Sequence, residues 1–313
     1  MDVFLIREAG ERINGYVKRT PLERSESLSK YLGTNAFVKY ELFQKTGAFK
    51  VRGAFNKMLS LTDEERSRGV VAVSGGNHAQ AVAYAASVLG VNAVIVMPES
   101  TPKVYLEATR GYGATVDLRP SIAEAFAEIK RYQSEGMVFV HPFDDPLVMA
   151  GQGTVGLEIM DDVPDATDVV VSIGGGGLAS GVATAVKGIN PVIKIWGVET
   201  VGADAMSQAL AAGHPVELAT ISSIAKTLGA PAVSDATLEI AQKHLESVTV
   251  VTDAEAVEAM VFILERLKVI TEPAASCTLA AAEKLSANFT PNSNVVLILC
   301  GGNTGVKDLC GYV

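Results

Sequence analysis

The sequence predicts an α/β protein with two lobes of parallel sheet flanked by helices, on three observations. Short β-branched runs alternate with Ala-rich stretches of helical length over most of the chain. The runs are apolar almost throughout, as strands are when both faces of a parallel sheet are covered. The alternation falls into two series, one between about Gly69 and Pro142 and one after it, and 313 residues suffice for two modest domains.

Along the chain, the first helix with a clear face follows Lys50. In TGAFKVRGAFNKM (Thr46–Met58), Val51, Ala54, Phe55 and Met58 recur at i, i+3, i+4 and i+7, which is one apolar helical stripe. Lys50 stands just before it, between Phe49 and Val51, where the positive end of a helix disfavours a cation. A lysine stem lying on apolar surface with its head in water accounts for this. So does an amine of lowered pKa, which a nucleophile or Schiff-base former needs. The first series then runs GVVAVS, HAQAVAYAASVLG, NAVIVMP, PKVYLEATRGYG, TVDL, SIAEAFAEIKRYQSEG and MVFVHP, four strands and three helices. The second runs GLEIM, DVVVSIGGGG, LASGVATAVKGI, KIWGVE, ADAMSQALAAG, SVTVVT, DAEAVEAMVFILERL, SCTLAAAEKLSA and NVVLILCGGN.

A net charge of −9 argues against nucleic acid and anionic membrane as partners. Cys277, Cys300 and Cys310 form no CxxC pair and the histidines no HxxxH, so neither a disulfide framework nor a zinc site is expected. The charged N-terminal stretch MDVFLIREAGERINGYV has no signal-peptide core. No apolar run has the length of a membrane span. A cytoplasmic protein is expected.

Three Gly-rich turns follow strands, where α/β proteins bind ligands: SGGNH (Ser74–His78), SIGGGGLASG (Ser172–Gly181) and CGGN (Cys300–Asn303). Gly174, Gly175, Gly176 and Gly177 let successive N–H groups converge on an anion at the start of a helix; a plain strand-to-helix turn needs only one or two glycines. Gly174, Gly176 and Ala179 also satisfy GxGxxA, with Glu199 about twenty residues on, so a dinucleotide site is a rival. The Ser74–His78 turn can hold a carboxylate, with Asn77 free to aim its amide at a ligand or simply to cap the next helix. An amine, a phosphate cradle, a carboxylate cradle and an asparagine are together what a pyridoxal phosphate enzyme needs.

With these residues in place, the sequence resembles the fold type II pyridoxal phosphate family, nearest to threonine/serine dehydratases and serine racemases. QKTGAFKVRGAFN is similar to the family's cofactor-lysine segment, SGGNHAQAVA to its asparagine loop and HPFDDPLVMAGQGT to its interdomain stretch. GGGGLASG is similar to the phosphate cup, TEPAAS to the segment near the ring and LCGGN to the last strand end. The resemblance implies a two-domain, tryptophan synthase β-like fold, with residues 1–52 and 147–313 in a large domain and 53–146 in a small one. It implies that Lys50 carries the cofactor and, once released, abstracts the Cα proton. It implies cofactor contacts from Phe49, Asn77 at the 3′-oxygen, Gly174 to Gly177 with Leu178 at the phosphate, Glu272, and Cys300 at the ring nitrogen. Ser74, Gly75, Gly76, Asn77 and His78 become the substrate turn. A homodimer is expected from the resemblance alone.

Four departures from the family's pattern carry information. Cys300 stands where relatives commonly have serine; neither is a carboxylate, so the ring nitrogen stays largely unprotonated, which favours elimination over transamination. Gly75 replaces the serine that serine racemases use as acid/base on the second face, and glycine moves no proton. In the racemases' cation pattern Glu199 and the Ala203 carbonyl match, but the third position is Ala205. One carboxylate suits a monovalent cation or none better than a divalent one, and Glu199 is otherwise expected to be solvated. TISSIAKTLGAP (Thr220–Pro231) departs from the relatives' TIADG, which leaves the substrate side chain open. With ten residues after Asn303, an appended regulatory domain is not expected.

The expected activity is therefore dehydration and deamination of a β-hydroxy-α-amino acid by a pyridoxal phosphate lyase. Serine racemisation or β-replacement on the same scaffold is the nearest alternative. The nicotinamide dehydrogenase and a non-catalytic cofactor or amino-acid binder follow.

Overall fold

The computed structural model describes residues 1–312. Helix α1 (Val3–Ile13) is followed by β1 (Leu22–Arg24), α2 (Glu26–Leu32) and β2 (Asn35–Lys39). Two 3₁₀ turns at Glu41–Phe43 and Lys45–Gly47 lead into α3 (Val51–Leu59) and α4 (Asp63–Arg68). Then come β3 (Val70–Val73), α5 (Asn77–Leu89), β4 (Ala93–Pro98), α6 (Lys103–Gly111), β5 (Thr115–Arg119), α7 (Ile122–Ser134) and β6 (Val138–Phe139). The chain continues through α8 (Pro146–Asp162), β7 (Asp168–Ser172), α9 (Gly177–Ile189), β8 (Lys194–Thr200), α10 (Ala205–Ala212) and α11 (Asp235–His244). It closes with β9 (Ser247–Val251), α12 (Asp253–Leu267), α13 (Pro273–Lys284), β10 (Asn294–Ile298) and α14 (Val306–Tyr312).

Two sheets result. Four strands in the order β5-β4-β3-β6 are all parallel, and six in the order β1-β2-β10-β7-β8-β9 are parallel except for the β1–β2 pair. Every residue of β3 and β7 is buried, which is why these strands read as unbroken apolar runs. The α/β expectation is met. No helix among the described residues is long and apolar enough to cross a membrane.

The sequence reading took GLEIM as a short element; it is instead the tail of the 17-residue α8. Gly151, Gly153 and Gly156 lower helix propensity, yet tertiary packing overrides it. A side chain at Gly151 would lie 2.6 Å from the Arg52 carbonyl and the Gly53 Cα, and one at Gly153 would lie 2.9 Å from the Gly181 carbonyl. These glycines let α8 press against α3 on one side and α9 on the other. The helix thereby holds the Lys50 helix and the four-glycine helix in one rigid layer.

Candidate active site

Lys50 sits where the pattern placed it. Val51, Ala54, Phe55 and Met58 are fully buried, and Lys50 is the N-cap of α3. Its part-buried Nζ donates to the Pro142 carbonyl at 2.8 Å and stands 5.2 Å from the Phe49 ring centre. Burial lowers the amine to about 8, while Cys300 close by acts in the opposite sense. Loss of water around the amine is thus the cause to which the shift is traced, where the sequence reading had looked to the helix end. The approach to Lys50 is stretched over the strand end after β10: Phe49 N–H donates to the Cys300 carbonyl at 3.1 Å and Gly302 N–H to the Gly47 carbonyl at 2.9 Å. Thr46 and Gly47 both take positive φ, 64° and 72°. Only glycine suits position 47, since a Cβ there would also run into the Asn303 side chain.

The four-glycine turn joins β7 to α9. Gly176 has φ 92°, and the 13-residue α9 starts with no side-chain cap. Packing also demands these glycines. A Cβ at Gly175 would collide with the Phe143 ring, one at Gly177 would lie 3.0 Å from Phe143 Cα, one at Gly176 2.8 Å from Thr237 and one at Gly174 3.1 Å from the Leu228 carbonyl. The glycines alone therefore do not prove an anion site. The uncapped, positive start of a long helix is what fits a phosphate.

Asn77 opens α5 as its first residue, with Gly76 as the N-cap, so capping does not explain the asparagine. Its Nδ2 donates to both oxygens of buried Glu272, at 2.8 and 3.0 Å. Glu272 is the N-cap of α13 but spends no carboxylate oxygen on that helix; its carboxylate also accepts from Thr227 Oγ1 at 2.6 Å and from Asn303 N–H at 3.0 Å. Cys300 is buried, accepts from Ser172 Oγ at 3.3 Å and donates to the Ala274 carbonyl at 3.6 Å. Burial, then the Glu272 charge, push its thiol up to about 12, so it stays neutral.

Against known proteins, the profile of the pyridoxal-phosphate dependent enzyme family matches residues 13–301. The chain belongs to that family. Among relatives, an L-threonine ammonia-lyase of Thermotoga maritima is 43% identical over 304 residues, covering 96% of this chain and 75% of the relative. A catabolic L-threonine dehydratase of Staphylococcus aureus is 40% identical over 316 residues, covering 98% and 90%. The structure of maize serine racemase superposes with a TM-score of 0.95 at 41% identity, covering 99% of this chain and 96% of that one. The fold type II architecture follows, and pyridoxal phosphate is the cofactor the family implies.

In this pyridoxal phosphate enzyme the other expected residues fall as follows. Ser74 Oγ accepts from Gly76 N–H at 3.1 Å, which tightens the turn before α5. A Cβ at Gly75 would lie 2.8 Å from Thr101 Oγ1, a buried hydroxyl without a hydrogen-bond partner. His78 is buried with Nε2 at 2.8 Å from the Val140 carbonyl, and burial, reinforced by the Lys50 charge, lowers it to about 3. Its imidazole is a neutral brace between α5 and the chain after β6. His141 is likewise lowered to about 4, chiefly by burial, and its Nδ1 accepts from Asp144 N–H at 2.7 Å.

Glu199 corrects two expectations. It is fully buried rather than solvated. Its two oxygens accept from Met206 and Ser207 N–H, each at 2.8 Å, so that it caps α10 from outside. Burial raises it to about 7. With both oxygens so engaged it is not presented to a ribose, and the dinucleotide reading loses its acid. Among the described residues no three His, Cys, Asp or Glu side chains group as metal ligands. Sequence reasoning missed Thr227, Tyr105, Phe143 and the side chain of Asn303. Asn303 left a trace as the end of the CGGN turn, and Thr227, Tyr105 and Phe143 only as unremarked members of the Thr220–Pro231, PKVYLEATRGYG and HPFDDPLVMAGQGT stretches.

Proposed function

We propose that the protein is an ammonia-lyase that eliminates water from a β-hydroxy-α-amino acid of the serine/threonine class, the resulting enamine tautomerising to an imine that takes up water to give a 2-oxo acid and ammonia. The observation that carries this reading is the Lys50 amine, lowered to about 8 by burial and held beside the four-glycine helix start and a neutral thiol. The relatives named for threonine dehydration, at 40–43% identity over nearly the whole chain, support it.

Bound pyridoxal phosphate supplies an electron-withdrawing ring that makes the Cα–H of an attached amino acid acidic. The N–H groups from Gly174 to Leu178 would hold its phosphate. Asn77, oriented by Glu272, would give an N–H to the ring oxygen. Cys300 would meet the ring nitrogen as a neutral group. The Ser74–Asn77 turn would receive the substrate carboxylate, with His78 bracing that turn from behind. Lys50, whose lowered pKa of about 8 gives it a far larger neutral fraction near physiological pH than an ordinary lysine once free, would take the Cα proton. Gly75 provides no group to return a proton from the other face, so loss of the β-hydroxyl outruns inversion.

Serine racemisation is the second reading, favoured by the close superposition on the maize enzyme. One experiment separates them: the purified protein is given L- and D-serine and L- and D-threonine, and 2-oxo acid and the enantiomer of the residual amino acid are both measured. The lyase yields 2-oxo acid with little inversion; inversion faster than 2-oxo acid formation would overturn the reading. The two sheets support a division into residues 1–52 with 147–313 and 53–146, and we place the protein in the cytoplasm as a homodimer. A cation at Glu199 and the Ala203 carbonyl would compete with the two N–H groups that Glu199 already accepts, so the reading requires none.

A further inference from the structure

In the CGGN turn, the backbone and side chain of Asn303 both reach away from their own strand. Its N–H donates to Glu272 Oε1 at 3.0 Å, and its carbonyl accepts from Tyr105 OH at 2.7 Å. Its Nδ2 donates to the Thr46 carbonyl at 2.7 Å and to Asn77 Oδ1 at 2.8 Å. Tyr105 lies on α6 and Asn77 on α5, both against the four-stranded sheet. Thr46 begins the positive-φ turn that leads to Lys50. Four hydrogen bonds thus join the lysine turn, the last strand of the six-stranded sheet and two helices of the other lobe.

The polarity of this set is fixed. A backbone carbonyl such as that of Thr46 only accepts, so the Asn303 atom facing it must be the nitrogen. That nitrogen offers its second hydrogen to Asn77, whose oxygen must therefore face Asn303. The Asn77 nitrogen is then turned to Glu272. One N–H can serve both near-equidistant carboxylate oxygens, which leaves the other for a ligand.

We propose that Asn303 is a positioning residue that sets the orientation of the Asn77 amide for the cofactor and ties the seating of α5 and α6 to the Lys50 turn. The inference rests on the cofactor reading given above. Asn303 touches no reacting atom; it acts through Asn77. Asn303→Ala removes the two donors. Asn303→Asp keeps the shape but sets a third acceptor against the Thr46 carbonyl and Asn77 Oδ1. It thus drives the Asn77 amide to turn its nitrogen away from Glu272.

The test is equilibrium dialysis of the full-length protein against pyridoxal phosphate, with the visible absorption band recorded and the melting temperature taken as a folding control. Loss of one buried hydrogen bond corresponds to about a tenfold weaker binding. Asn303→Ala is expected to raise the dissociation constant about tenfold, and Asn303→Asp by about tenfold more, with a displaced band. In an Asn77→Ala background the gap between the two variants is expected to close, because the amide they orient is gone. Variants that bind like the wild type, or a gap that persists without Asn77, overturn the inference. Should Asn303→Asp not fold, Asn303→Ala in the two backgrounds decides: the same loss in both overturns it. A wild-type protein that takes up no pyridoxal phosphate sinks the cofactor reading itself, and this inference with it.

Discussion

Two buried polar clusters, one around Arg52 and one around Glu272, are built on opposite plans. The first is centred on Arg52, which is fully buried. Its guanidinium grips Glu41 with two bonds of 2.8 Å and Glu158 with bonds of 2.7 and 2.9 Å. Lys39, also buried, joins Glu158 at 2.5 Å and the Thr20 carbonyl at 2.8 Å. Two cations face two carboxylates. Burial alone would lower the Arg52 pKa, but the two carboxylates outweigh it and raise it. The other cluster surrounds Glu272, a buried carboxylate served only by Asn77, Thr227 and the Asn303 N–H.

The difference teaches how each cluster treats its charge. Charge in the Arg52 cluster is balanced by the chain itself, and its charged members come from the end of β2, the turn after it, α3 and α8. It fixes the first turn of α3, and so Lys50, to the layer behind. Glu272 has neutral donors only. Among the described residues the Glu272 carboxylate is held by hydrogen bonds from Asn77, Thr227 and Asn303, with no cation among those donors. The first cluster joins α3 and α8 to the turn after β2; the second holds the Asn77 side chain.

The most severe effect is expected at Lys50, two residues before Arg52 in the chain. Lys50→Ala is expected to lower turnover by about four orders of magnitude or more while leaving both clusters folded. Borohydride reduction followed by peptide mass analysis should label Lys50 in the wild type and nothing in the variant. Substantial turnover without Lys50 would end the lyase assignment.

Next come the clusters themselves. Arg52→Met leaves two buried carboxylates with one cation and is expected to destabilise the fold by about 3–5 kcal/mol in chemical denaturation. Glu272→Gln is expected to cost about 1–2 kcal/mol of stability and about tenfold or more in turnover. The contrast fails if the stability loss at Glu272 equals that at Arg52, or if turnover is untouched.

A subtler test uses pH. Lys50 titrates near 8 when folded, against about 10.4 in an unfolded chain. Between these values the unfolded chain binds more protons. Stability of the cofactor-free protein should therefore rise as pH goes from about 8 to about 10.4 and should gain nothing further above that. Melting temperatures compared across this range with Lys50→Met, which lacks the amine, isolate the slope; identical slopes would show that the amine is not shifted. The smallest effect is expected at Cys300→Ser, which exchanges one neutral group for another beside Ser172. Turnover should stay within about threefold of wild type, and a collapse would mean that the thiol itself takes part.

Much of the fold was legible because each element carries its own local signature. The stripe Val51–Met58 and the runs VVAV and DVVVS needed no more than a period and a burial class. What failed to show was whatever depends on close approach between distant segments. Three glycines in α8 look like breaks until α3 and α9 are seen pressing on them. Glu199 looks solvated until the start of α10 folds over it. At the site, the lysine and the glycine turn were visible as sequence motifs. The partners of Asn77 were not.

The sequence by itself determined the α/β layering, the placement of Lys50 before an apolar helical face, and the glycine turn after a buried strand. Each of these is set by residues within a few positions of one another. Tertiary structure alone decided the partners of the site: Asn77 with Glu272, 195 residues away, and Thr46 with Asn303, 257 residues away. The physical reason is that a hydrogen bond depends on distance and direction in space. A spacing pattern carries neither once the two groups lie on segments far apart in the chain.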